Sequence, residues 1–132
     1  MSEAPKRRSG AELVAMAKQS VNNITPEQAQ QELADGAVFV DVRDSAEVAQ
    51  GKIPGAVHLQ RGMLEFTADP TSPYFNPALK SLDQRIVLYC GSGGRSALST
   101  QLLESYGYTN VVNMDGGFST WKGEDRPVEM PE

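Results

Sequence analysis

The single cysteine of this 132-residue chain, Cys90, opens a glycine-rich segment that continues through Gly91, Ser92, Gly93, Gly94, Arg95 and Ser96. It directly follows the apolar run 85–89, which predicts a buried strand. In open α/β sheets, ligands bind beyond the carboxyl ends of the strands. We therefore predict that Cys90 is a catalytic nucleophile at a strand end.

The glycine-rich segment predicts surroundings that stabilise a thiolate. Its glycines let the backbone curl so that successive amide groups point into one hollow, and such a nest at the start of a helix binds anions. The same field lowers the pKa of a cysteine below its ordinary value of about 8.5. Arg95 adds a positive charge at the start of the helix. Because a lone cysteine is often buried and inert, the hypothesis depends on this placement.

The surrounding pattern predicts an α/β fold. Apolar runs at 37–40, 56–59, 85–89 and 111–114 predict strands, and helices are predicted between them. The helix limits are indicated by capping signatures at 25–28 and 44–47, and by Gly107 at the end of the helix that follows Cys90. Strands that alternate with helices form a parallel sheet covered on both faces. We expect an N-terminal tail and short helix over 1–23, and one domain over 24–130.

Composition excludes several classes of function. The net charge of -5 argues against nucleic acid as a partner. No apolar run approaches the roughly 20 residues that span a bilayer, and the polar N-terminus does not resemble a signal peptide. We therefore expect no membrane partner. A single cysteine cannot form an intramolecular disulfide, so we expect a cytoplasmic protein. One cysteine and one histidine leave no thiolate zinc site, so we expect neither a metal nor a cofactor.

Four segments together resemble the rhodanese family in order and spacing: 41–47, 51–56, 90–96 and 115–121. The resemblance covers roughly residues 24–128. It implies a three-layer rhodanese-like fold, with a five-stranded parallel sheet flanked by helices on both faces. It also implies that Cys90 takes a sulfane sulfur from a small donor, such as thiosulfate or a persulfide, and holds it as a persulfide. The acceptor would be cyanide, a thiol or a sulfur-acceptor protein.

The resemblance also implies roles around Cys90. The backbone amides of 91–96 would hold the terminal sulfur, while Arg43 and Arg61 would bind an anionic donor. Asp41 would support Arg43, although the two side chains can equally form a purely structural ion pair. Ser92 stands where some thiosulfate-using members carry a cation, which weakens the case for thiosulfate. Structural roles are expected for His58, Glu47, Gly55, Ala56, Gly116, Gly117 and Trp121.

Two other functions remain open. Cysteine-dependent phosphatases use the same thiolate in a nest, but their loops are one residue longer than the four residues between Cys90 and Arg95. The shorter loop favours a single sulfur atom over a phosphate. A non-catalytic module for protein binding or redox sensing is the second alternative.

Overall fold

In the part of the chain that the structure describes, five short strands form one central parallel sheet, in the order β1-β5-β4-β2-β3. The computed structural model describes residues 4–131, so the first three residues of the predicted tail lie outside the described residues. The strands are β1 (Asn23–Ile24), β2 (Val38–Asp41), β3 (Val57–His58), β4 (Ile86–Tyr89) and β5 (Val111–Met114). The predicted α/β fold with a five-stranded parallel sheet is confirmed.

Within the described residues, six α-helices connect and flank the strands: α1 (Gly10–Ser20), α2 (Pro26–Ala34), α3 (Ser45–Val48), α4 (Leu64–Thr67), α5 (Gly94–Ser105) and α6 (Gly117–Gly123). Two 3₁₀ turns lie at Arg61–Met63 and Pro77–Leu79. The predicted capping boxes of α2 and α3 are present, with Thr25 and Asp44 as the N-cap residues. A third capping box, in which Ser9 and Glu12 begin α1, was not predicted.

Alternate residues of β4 face the two halves of the core. Leu88 and Cys90 belong to a buried cluster with Leu103 of α5 and Leu64 of α4. Val87 and Tyr89 pack in a second cluster, whose helical members include Ala29, Phe118 and Trp121. Helices therefore cover both faces of the sheet, and each large side chain buried in this way contributes about 1.5–3 kcal/mol.

The edge strand β1 was not recognised from the residue pattern. It has only two residues and no apolar run. Backbone carbonyls of β1 and of the residue before it nevertheless extend the sheet. The Asp115 N–H donates to the Ile24 carbonyl at 2.9 Å, and the Asn113 N–H donates to the Asn22 carbonyl at 2.9 Å. This pairing connects the end of α1 to the sheet.

The predicted N-terminal helix packs on α5, beside the segment that follows Cys90. Ala17 is buried, and a Val14 methyl lies 3.3 Å from where a β-carbon on Gly94 would be. Lys18 forms an ion pair with Asp115 at 2.9 Å. The first half of α1 is thus placed next to the start of α5. Of the helices in residues 4–131, none is both long and apolar enough to cross a membrane.

Candidate active site

The Cys90 sulfur lies in a nest formed by the first turn of α5 and the loop before it. The Gly93 N–H donates to Sγ at 3.1 Å, and the Ser96 Oγ lies 3.5 Å from the same sulfur. Gly93 has φ 98°, a left-handed conformation that favours glycine. This conformation directs the amide toward the sulfur.

Hydrogen bonding lowers the pKa of the Cys90 thiol below its ordinary value, although burial alone would raise it. The hydroxyl and amide of Ser96 and the amides of Ser92 and Gly93 overcome the effect of burial because they stabilise the anion. A lower pKa increases the thiolate fraction at neutral pH, and the thiolate is the nucleophilic form of cysteine.

Cys90 itself is enclosed, with only 1% of its surface exposed. Ser92 is exposed at the outer side of the loop, whereas Gly93 and Ser96 are buried. Because the sulfur is enclosed, its access route suits small, slender groups. Amide dipoles and a hydroxyl, rather than a neighbouring base, surround it.

Arg95 lies at the loop, but its charge is not free. Its two terminal nitrogens donate to the Glu47 carboxylate at 2.6 and 2.8 Å. The Arg95 guanidinium lowers the pKa of Glu47 to about 2, and the same hydrogen bonds raise the pKa of Arg95. We expected Arg95 to offer its charge to a donor, and Glu47 to be purely structural. In the structure Glu47 neutralises the cation beside the nest, and a contact of Arg95 with a donor stays a prediction.

Arg43 does not line the loop with Arg95. It is 4% exposed, and its side chain donates to both Asp41 oxygens and to the Gly51 carbonyl. The guanidinium carbon also lies 4.4 Å from the centre of the Phe118 ring. In the structure Asp41 and Arg43 form a buried ion pair that joins the end of β2 to neighbouring segments, and a contact of Arg43 with the donor stays a prediction.

Arg61 lies in a cleft of about 470 Å³ between α5 and the segment 60–65, and Arg95 lines the same cleft. Its backbone N–H donates to the Val42 carbonyl at 3.1 Å. Within the described residues, no carboxylate forms an ion pair with Arg61. Of the three predicted arginines, it is the one outside an ion pair in the described residues, and the carboxylates of Asp44 and Glu65 line the same cleft.

The first turn of α6 holds the carbonyls of the loop. The Phe118 N–H donates to the Cys90 carbonyl at 2.8 Å, and the Ser119 N–H donates to the Gly91 carbonyl at 3.0 Å. Gly117 has φ 62°, and a β-carbon there would lie 2.6 Å from the Gly91 carbonyl. Gly117 therefore permits the close approach that supports the site.

One residue beside the nest was missed in the sequence. Asn113 of β5 accepts a hydrogen bond from the Ser96 hydroxyl at 2.6 Å and is fully buried. A polar residue inside the apolar run 111–114 was the available signal. Structural contacts account for His58, whose Nε2 lies 2.6 Å from the Arg43 carbonyl, and for Trp121, whose indole N–H donates to the Pro127 carbonyl at 2.7 Å.

Comparison with known proteins identifies the family. The model of the rhodanese-like domain matches residues 25–124. The chain belongs to the rhodanese-like family. Its sheet, its helices and the loop at Cys90 can therefore be compared with those of other rhodanese-like domains.

Two curated relatives match this chain over almost their full length. A sulfurtransferase from Allochromatium vinosum is 34% identical over 114 residues, covering 85% of this chain and 98% of the relative. The thiosulfate sulfurtransferase GlpE of Haemophilus influenzae strain PittEE is 32% identical over 111 residues, covering 83% and 96%. These relatives confirm the predicted class, a rhodanese-type sulfurtransferase.

A solved structure resembles the chain over nearly its whole length, including α1. This protein of unknown function from Rhodopseudomonas palustris, described as a possible tyrosine phosphatase, has a TM-score of 0.86 and 34% identity. The match covers 98% of this chain and 100% of that one.

Gly117→Ala is expected to destabilise this rhodanese-like domain far more than Gly36→Ala. Both glycines have positive φ, but a β-carbon on Gly36 would meet nothing within 4 Å. The control change should cost about 1–2 kcal/mol for its conformation alone. Overlap with the Cys90–Gly91 backbone should add at least about 2 kcal/mol for Gly117→Ala. Urea unfolding measures both, and equal losses would show that the close approach is not a constraint.

The Glu47–Arg95 pair predicts acid sensitivity. Because the pKa of Glu47 is lowered to about 2 in the folded chain, unfolding takes up a proton between that pH and its ordinary pKa of about 4.3. The stabilisation is complete above this range and is lost as the pH falls through it. In urea unfolding from pH 7 to 2.5, Glu47→Gln should flatten the profile, whereas Glu104→Gln, an exposed control, should not. Parallel profiles for Glu47→Gln and the unaltered chain would contradict the assignment.

Proposed function

We propose that this protein transfers a sulfane sulfur from a small donor to a thiophilic acceptor through a persulfide on Cys90. The observation that carries the proposal is the nest at the end of β4, where the Gly93 N–H donates to Sγ at 3.1 Å. A group of amides around one sulfur favours an anionic sulfur there, both before and after the transfer.

With thiosulfate as donor, the Cys90 thiolate attacks the outer sulfur. A bond forms between Sγ and that sulfur, and the electron pair of the breaking S–S bond leaves with sulfite. The products are the Cys90 persulfide anion and sulfite. In the second step cyanide attacks the terminal sulfur, thiocyanate leaves, and the Cys90 thiolate is regenerated.

The local groups suit this chemistry without a general base. Burial would raise the pKa of Cys90, but its hydrogen bonds lower it, which increases the thiolate fraction without a histidine. The terminal sulfur of the persulfide would accept hydrogen bonds from the loop amides at 91–96. A thiol, including one on an acceptor protein, can replace cyanide because it too attacks the outer sulfur.

The charge around the cleft bears on which donor is used. Arg95 is paired with Glu47, and Ser92 carries no charge, so Arg61 supplies the accessible cation. The name of the GlpE relative, thiosulfate sulfurtransferase, supports thiosulfate. A persulfide of low charge needs fewer cations and is the alternative donor.

The central test is the mass of the protein after exposure to a donor. Treatment with thiosulfate, or with glutathione persulfide, should add about 32 Da to Cys90, and cyanide should remove it as thiocyanate. Cys90→Ser should gain no mass and form no thiocyanate. Ser105→Ala, at the far end of α5, serves as the matched control and should behave like the unaltered chain.

Absence of the adduct with every donor would contradict the proposal and favour a binding or redox-sensing module. The description of the Rhodopseudomonas palustris protein makes phosphate-ester hydrolysis the other candidate. Its assay is p-nitrophenyl phosphate turnover, where loss on Cys90→Ser would establish a phosphatase. We expect no turnover, because Glu47 holds the Arg95 guanidinium that a phosphate would need.

Arg61→Ala should raise the KM for thiosulfate about three- to tenfold and leave kcat within about twofold, as expected for one exposed charge contact with the donor. Lys80→Ala is the matched control, since it removes one exposed positive charge outside the cleft. Steady-state thiocyanate formation at constant ionic strength measures both. An equal change in KM for the two variants would remove Arg61 from the donor site.

A further inference from the structure

A chain of hydrogen bonds runs from the end of α1 to the Cys90 nest. The Asn23 side-chain nitrogen donates to the carbonyls of Lys18 and Val21 at 2.8 and 3.2 Å. The Asn113 side-chain nitrogen donates to Asn23 Oδ1 at 3.0 Å and to the Gly93 carbonyl at 3.3 Å. Both hydrogens of each amide nitrogen are therefore directed at oxygen atoms.

These partners determine the orientation of the Asn113 amide. Carbonyl oxygens accept and amide nitrogens donate, so a flipped Asn113 would place its oxygen against the oxygens of Gly93 and Asn23. Its Oδ1 is therefore the atom that lies 2.6 Å from Ser96 Oγ. Because Oδ1 has no proton, the hydrogen in that contact is the hydroxyl proton of Ser96.

The hydroxyl of Ser96 has one proton and two neighbours that can accept it. Asn113 Oδ1 lies at 2.6 Å, whereas the Cys90 sulfur lies at 3.5 Å. While the proton points to Asn113, the oxygen lone pairs of Ser96 are the groups that face Cys90. They can accept from a thiol S–H, but they do not stabilise a thiolate.

We propose that Asn113 is a positioning residue that accepts the hydrogen bond of the Ser96 hydroxyl while Cys90 is a thiol. When the sulfur becomes an anion, the hydroxyl turns and donates its hydrogen bond to the sulfur instead. This inference rests on the proposed function of Cys90. When the hydroxyl turns to the sulfur, Oδ1 of the buried Asn113 loses its donor. Asn113 therefore opposes formation of the anion through Ser96.

A purely structural role for Asn113 would act in the opposite direction. Asn113 also binds the Gly93 carbonyl, so its loss could loosen the nest and withdraw the Gly93 amide from the sulfur. The Ala97 N–H donates to the same carbonyl at 3.2 Å and would still hold it. Loosening of the nest would raise the pKa of the Cys90 thiol. A Ser96 hydroxyl that is free to donate to the sulfur would lower it.

The test compares Asn113→Leu, Ser96→Ala and the double variant. The pKa of Cys90 is read from the pH dependence of alkylation by iodoacetamide and from thiolate ultraviolet absorbance, with no sulfur donor present. Asn113→Leu should lower the pKa of Cys90 by about 0.5–1. This shift is the scale of one hydrogen bond to a charged group, reduced by the strain in that hydrogen bond. In the Ser96→Ala background the same change should move the pKa by less than about 0.2.

The variants leave unchanged the charged groups on the elements around the nest and the cleft. These groups are Arg95, Glu47, Asp41, Arg43, Asp44, Lys18, Asp115, Arg61 and Glu65. Differences between the variants therefore report on the hydrogen bonds.

A rise in pKa on Asn113→Leu, no change, or a fall that persists without the Ser96 hydroxyl would overturn the proposal. If Asn113→Leu does not fold, Asn113→Ala carries the same expectation with a smaller side chain. Failure of the proposed function would look different: donors would leave no persulfide on Cys90, while the thiol pKa values of the variants would still follow the pattern above.

Discussion

The close approach of the loops that follow β4 and β5 is the constraint on which the site depends. Gly117 allows the α6 amides to reach the carbonyls of Cys90 and Gly91. On the other side of the same loop, Gly93 turns its amide toward the sulfur. The backbone is thereby held from both sides, and the Cys90 sulfur stays where the amides converge.

Two of the three predicted arginines are balanced by carboxylates. Glu47 pairs with Arg95 at the loop, and Asp41 pairs with the buried Arg43. The stabilisation of an anionic sulfur therefore comes mainly from fixed amide dipoles and a hydroxyl, which act strongly in a water-poor site. Such a site suits a singly charged sulfur better than a phosphate dianion, which agrees with the shorter loop and with the membership of the rhodanese-like family.

Local signals in the sequence predicted most of the fold. The capping boxes of α2 and α3 and the apolar run before Cys90 have direct local causes, and the structure confirms them. The strand β1 could not be found in this way, because two residues without an apolar pattern join the sheet through their backbone alone.

The partners within the site were harder to predict. Glu47 and Arg95 lie 48 positions apart, so only the packed fold shows that the arginine is neutralised. Asn113 was missed, because a polar residue inside an apolar strand does not show that its partner is the Ser96 hydroxyl. Cys90 was placed correctly at a strand end because strand, glycines and helix follow one another directly in the chain.

The most direct measurement follows the sulfur atom itself. Thiosulfate labelled only in its outer sulfur should transfer one labelled atom to each chain, with release of unlabelled sulfite, and cyanide should then carry the label away as thiocyanate. Label that never becomes bound to Cys90, or that leaves with sulfite, would contradict the account.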